Sequence, residues 1–128
     1  MSNKEKKIFF VGGEDASLRI PMMKFLINEG FKVSMIASEE GDIFKESNVP
    51  YFFFNLQKGF TPIKDLSTVL QIIKILKKNK PDVVQTFDTK PNILASVAAY
   101  FTSVPVKIRT INGMGRIFSE DSLKFRLL

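Results

Sequence analysis

Three short stretches of this chain pair backbone that can come close to a ligand with side chains that can do chemistry: Gly12-Gly13-Glu14-Asp15-Ala16, Phe87-Asp88-Thr89-Lys90-Pro91-Asn92 and Asn112-Gly113-Met114-Gly115-Arg116. In the first, two glycines allow a sharp turn, and a helix opening at Ser17 would aim free N–H groups and a positive dipole end at an anion such as a phosphate. A tight turn that binds nothing is the competing reading. The dinucleotide fingerprint is broken, because Glu14-Asp15-Ala16 replace the third glycine and put two acids where a pyrophosphate would lie. Glu39 or Glu40 could then pose as a ribose-binding acid only by coincidence. In the second stretch, Lys90 precedes Pro91 at a helix start, with Thr89 as the cap, so a full positive charge adds to the helix dipole. Asp88 beside it is the one catalytic candidate, able to accept a sugar hydroxyl or act as a base, or else a turn carboxylate. In the third stretch Met114 forms an apolar tip between two glycines, followed by Arg116, which suits contact with an acceptor or with lipid, or a plain connection.

Composition limits what these residues can do. The 128 residues contain no Cys and no His, which excludes disulfides, thiolate nucleophiles, imidazole triads and His- or Cys-ligated metals. Nineteen Lys and Arg against thirteen Asp and Glu leave a net charge of +6, which favours anionic partners. The basic cluster Lys74, Lys77, Lys78 and Lys80 reads first as the wet face of a helix. Facing an anionic bilayer, each lysine would add about 1 kcal/mol of attraction, so Lys74, Lys77, Lys78 and the Met114 tip are the membrane-contact candidates. Nucleic acid is not expected as a partner, because no stacking platform or nucleic-acid module accompanies the charge. The N-terminal apolar run is too short for a signal peptide, and no run approaches the ~18 residues of a membrane span. The expected location is cytoplasmic, with peripheral attachment to the inner membrane face.

The elements that must position these loops alternate. The continuous apolar run at 7–11 and the segments 32–37, 51–54, 82–86 and 106–111 read as five strands, the first ended by Gly12-Gly13 and the third preceded by Pro50. Between them fall a helix from Ser17 to Gly30, a short one over 40–47, one from Asp65 to before Pro81, and one opening at Pro91. The second-last helix is expected to bury Leu66, Val69, Leu70, Ile73 and Leu76, and the last Leu94, Val97, Ala98 and Phe101. Strand-helix alternation implies an α/β fold, a doubly wound, Rossmann-like parallel sheet of about five strands in one domain. In such a sheet the loops after strands one, four and five meet outside the carboxyl ends, where ligands bind. A receiver domain of the same winding is excluded by Asn55 where its phosphorylated Asp should stand. Ser119-Glu120-Asp121-Ser122 resembles one more helix start, and the reading is of half a molecule.

Several motifs together carry a family resemblance: Ser17 to Leu26 leading to Glu29-Gly30-Phe31-Lys32-Val33, Lys80 to Thr86 followed by Thr89-Lys90-Pro91-Asn92-Ile93, and Val104-Pro105-Val106 followed by Thr110 to Phe118. Across nearly its whole length the chain resembles the N-terminal, acceptor-side domain of the family 4 glycosyltransferases of GT-B fold, in the bacterial capsule, lipopolysaccharide and O-antigen branch. The resemblance implies a retaining enzyme that uses a nucleotide sugar as donor substrate, with no other cofactor and no metal. A C-terminal domain or partner subunit, absent from these residues, would hold the donor. Gly12 and Gly13 match the loop that approaches the donor diphosphate. The acceptor, often a sugar on a polyprenyl diphosphate, would meet Asp15 and Arg19, then Asp88, Thr89, Lys90 and Asn92, then Asn112, Gly113, Met114, Gly115 and Arg116. Relatives commonly carry His near the end of strand four, where this chain has Gln85 and Phe87. The alternatives are a non-catalytic subunit that recruits a separate donor-binding subunit and, behind it, an NAD(P)-binding domain.

Overall fold

The computed structural model describes residues 6–13, 15–39, 41–56 and 61–111. Lys7–Val11 forms β1, whose apolar run follows from burial on both faces: Phe9 and Val11 enter the core on one side, Phe10 on the other. It lies at the centre of a five-stranded sheet in the order β3-β2-β1-β4-β5. The other strands are β2 (Lys32–Ala37), β3 (Tyr51–Phe53), β4 (Val83–Phe87) and β5 (Val106–Thr110), and every pairing is parallel. The chain steps from β1 out to β3, then returns to the other side of β1 for β4 and β5. Strand order therefore reverses between β1 and β4, which opens a crevice beyond their carboxyl ends.

Helices α1 (Ile20–Asn28) and α2 (Asp42–Glu46) bury Ile20, Met23 and Phe44 against one face of the sheet. On the other face, α3 (Pro62–Asn79) and α4 (Thr89–Phe101) bury Val69, Ile72, Leu76, Leu94 and three alanines. Ala95, Ala98 and Ala99 are the small residues that let α4 lie close. Among the described residues no helix is long and apolar enough to cross a membrane.

Strand positions match the expected ones to within a residue, but helix starts and phases do not. Ser17 does not cap α1: a 3₁₀ turn over Ala16–Arg19 intervenes, and the α-helix begins at Ile20 with Pro21 in its first turn. The helix α3 starts at Pro62, ahead of the expected Asp65, because proline loses nothing at a position whose N–H has no partner within the helix. Its buried stripe is rotated: Thr68, Val69, Ile72 and Leu76 face the core, while Leu66 and Leu70 stay 60% and 56% exposed. Apolar residues on two sides of α3 leave the phase ambiguous, and Thr68 joins the core because its hydroxyl bonds the Asn55 carbonyl at 2.6 Å. In α4, Val97 and Phe101 point outward for the same reason, with the alanines turned inward. That helix starts at Thr89, so Asp88, not Thr89, is the residue before it.

Candidate functional site

The loops that leave β1 and β4 are joined at the crevice. The Gly13 N–H donates to Asp88 Oδ2 at 3.1 Å, and Gly12 N–H extends the ladder to the Ile36 carbonyl at 3.0 Å. Asp88 holds this carboxylate in place with φ 71° and ψ 155°, a backbone conformation almost confined to glycine. Neither Gly12 nor Gly13 takes a positive φ. A Cβ on Gly13 would stand in ordinary van der Waals contact, 3.4 Å from Asp88 Oδ2 and 3.8 Å from Pro91.

A second carboxylate occupies the start of the 3₁₀ turn. Glu39, just past β2, accepts from both the Ser17 N–H and the Ser17 hydroxyl at 2.7 Å. The Ser17 amide at this helix start is thus met by a side chain of the same chain, where a phosphate cradle or a plain tight turn was expected. Glu39 is placed in turn by Tyr51, whose hydroxyl donates to the Glu39 carbonyl and lies 3.1 Å from that of Ala37. Burial, with the Glu39 charge beside it, pushes the Tyr51 phenol up to about 12. Sequence reading dismissed Glu39 as an accidental ribose acid; its spacing from Ser17 gave no signal of a contact between β2 and the first loop. Arg19 lies on the same side of the crevice, its guanidinium carbon 4.4 Å from the centroid of the Phe87 ring, a cation–π contact at the end of β4.

Lys90, in the first turn of α4, reaches sideways to α3, to Asp65 Oδ1 at 2.8 Å and Thr61 Oγ1 at 3.3 Å. Its hydrogen bond, helped by Thr61, holds the Asp65 carboxyl below the ordinary aspartate range despite some desolvation. The charge expected to stand open toward a ligand is therefore matched by a carboxylate, since two neighbouring helix starts bring the pair together. Asp65 and Thr61 escaped the sequence reading, although Thr61-Pro62 followed by Asp65 is itself a helix-start pattern. Asn92 is a clamp: Thr86 Oγ1 donates to its Oδ1, and its Nδ2 donates to the Thr110 carbonyl at 3.0 Å, tying the ends of β4 and β5 to α4.

The structure thus brings together Gly12, Gly13, Arg19, Asp88, Lys90 and Asn92 around the ends of β1 and β4, with Asp15 and Thr89 exposed beside them. Asn112, Gly113, Met114, Gly115 and Arg116 lie outside the described residues, as do Glu14 and Glu40. Lys74, Lys77 and Lys78 are not part of this cluster. They lie toward the C-terminal end of α3, which points to the amino ends of the strands, and they continue an outward stripe begun by Ile63, Leu66 and Leu70. Among the described residues no group of three acidic side chains could hold a metal ion.

A parallel sheet that reverses order at the crevice, with helices on both faces, is a doubly wound α/β lobe, and sequence comparison says to which family it belongs. The family described as "Glycosyl transferase 4-like" matches residues 7–126, and the chain belongs to that family. Relatives that it matches are bacterial glycosyltransferases. The chain is 33% identical over 111 residues to the Escherichia coli UDP-Gal:alpha-D-GlcNAc-diphosphoundecaprenol alpha-1,3-galactosyltransferase, covering 83% of this chain and 28% of that protein. It is 25% identical over 129 residues to the capsular polysaccharide biosynthesis glycosyltransferase CapM of Staphylococcus aureus, covering 98% of this chain and 33% of CapM. Among solved structures it shares the fold of Acinetobacter baumannii MurG, with a TM-score of 0.67 at 19% identity over 81% of this chain and 35% of that one. The chain therefore spans about a third of the length of the curated relatives it matches.

Proposed function

We propose that this chain is the acceptor-side lobe of a retaining glycosyltransferase that moves a sugar from a nucleotide-sugar donor to a polyprenyl-diphosphate-linked glycan in bacterial surface polysaccharide synthesis. The observation that carries the reading is the junction of the β1 and β4 loops at the point of strand-order reversal, where Gly13 and Asp88 are bonded at 3.1 Å. In the reaction the bond from the sugar C1 to the diphosphate breaks, an acceptor hydroxyl oxygen bonds to C1, and its proton leaves with the diphosphate. The alpha-1,3 linkage made by the similar Escherichia coli galactosyltransferase supports retention. Asp88 acts here as a positioning residue for the glycine loop, and Lys90 and Arg19 are the cations nearest an acceptor diphosphate. Donor binding falls to a part of the enzyme outside these residues, because the amides of Gly13 and Ser17 already have carboxylate partners. The apolar residues Ile63, Leu66 and Leu70 start beside the Lys90 pair, so a lipid tail leaving the crevice meets them and the inner membrane face.

Calorimetry with the purified chain tests this. A GlcNAc-diphosphoprenol acceptor should bind and a UDP-sugar should not, and K90Q should weaken acceptor binding several-fold. Sugar transfer by the 128 residues alone would overturn the half-enzyme reading. Binding of the UDP-sugar without the acceptor would reverse the lobe assignment.

A further inference from the structure

The amino end of the sheet, opposite the crevice, holds a second cavity of about 400 Å³. That volume is in the range of sites for small organic ligands. Its walls include Phe9, Phe31 and Pro50 beside the polar Ser34 and Asn48, and among the described residues the ionisable ones lining it are Lys7 and Lys32. These two lysines are direct register partners on β1 and β2. Alternation puts both on the α3 side of the sheet, with Phe9 and Ser34 as the next pair along. Like charges side by side on neighbouring strands, about 4.8 Å apart, repel each other. The Lys7 ammonium donates to the Asn79 carbonyl at the end of α3 at 3.0 Å, which fixes it at the cavity and leaves further N–H donors. Asp82 bonds the Lys7 backbone N–H at 2.8 Å but does not line the cavity. Among the described residues no carboxylate lines the cavity, so Lys7 and Lys32 meet no lining counter-ion there.

We infer that this cavity binds a small amphipathic anion, an acyl or aromatic body ending in one phosphate or carboxylate. The apolar walls take the body, and Lys7 and Lys32 share the charge. The site does not depend on the transferase reading, because it lies at the other end of the sheet.

The test titrates the intact chain by two-dimensional NMR with decyl phosphate below its micelle concentration, with decanol, and with inorganic phosphate. Decyl phosphate should saturate, with the largest amide shifts at Phe31–Ser34 and Asn79. Decanol and inorganic phosphate should each bind at least about tenfold more weakly, the ratio that about 1.4 kcal/mol of charge-assisted bonding gives. K32Q and the K7Q/K32Q double variant should remove the preference for decyl phosphate over decanol, and K32Q should not lower the melting temperature, because it relieves the lysine pair. S34F, which fills the chamber, should abolish both. Equal affinity for decanol and decyl phosphate overturns the inference. So do shifts confined to Gly13 and Lys90, or binding only to phosphatidylglycerol vesicles that K7Q/K32Q leaves unchanged, which would assign the anion to surface lysines.

Discussion

Asp88 combines two opposing contributions. Its glycine-like backbone at φ 71°, ψ 155° costs about 1–3 kcal/mol, while its carboxylate satisfies the buried Gly13 N–H, whose loss would cost about 1–3 kcal/mol. Substitutions separate the two. D88A keeps the strain and loses the bond, so it should destabilise the fold more than D88G, which loses the bond but relieves the strain. At an ordinary position glycine is the worse of the pair by about 0.5–1 kcal/mol, so the expected order is inverted. Urea unfolding of both variants reads it, and D88A proving as stable as D88G would remove the strain from the account. The sequence could not announce this: Asp88 read there as a turn acid or base, and nothing in its neighbours signals a positive φ.

The central strand β1 was legible because its run, buried from Phe9 to Val11, is apolar and is cut off sharply by Gly12-Gly13, whereas β5 carries Lys107 and Arg109 and is exposed over most of its length. Helix phase was less so, since α3 carries Ile or Leu on both sides, and the buried side is the one where Val69, Ile72 and Leu76 pack in the core and Thr68 bonds the Asn55 carbonyl. The candidate site was half legible. Loops at strand ends can be read from spacing, but the partners of those loops, Glu39 for Ser17 and Asp65 for Lys90, come from elements 22 and 25 residues away in the chain. Tyr51 links these levels, stacking on Phe44 with centroids 4.5 Å apart and holding the turn after β2 that carries Glu39. Because its folded value near 12 lies above the free value of 10.0, the neutral phenol is the stabilising form. Its contribution is complete below pH 10 and is lost as pH rises from 10 toward 12. The difference in 295 nm titration between wild type and Y51F should show a phenolate forming near 12; a midpoint near 10 would mean that the phenol is not buried beside the Glu39 charge in solution.

For the whole molecule, the membrane contact proposed above would fall on the outward stripe of α3. Ile63, Leu66 and Leu70 occupy its crevice half and Lys74, Lys77 and Lys78 its far half, along a helix of 18 residues, roughly 27 Å at 1.5 Å per residue. Apolar contact and charge are thus separated along one line, and each leaves its own salt dependence. Lysine attraction to an anionic surface decays within about 10 Å at 0.1 M salt, while apolar insertion does not. Flotation should therefore recover the chain with phosphatidylglycerol vesicles at low salt, less at high salt, and little with neutral vesicles. K74Q/K77Q/K78Q should remove most of the salt-sensitive part, about 1 kcal/mol for each lysine. L66Q/L70Q should remove the part that survives high salt, and because both side chains are more than half exposed it should leave the melting temperature nearly unchanged. If neither variant changes recovery, α3 is not the membrane face and the lipid tail must leave the crevice on another side.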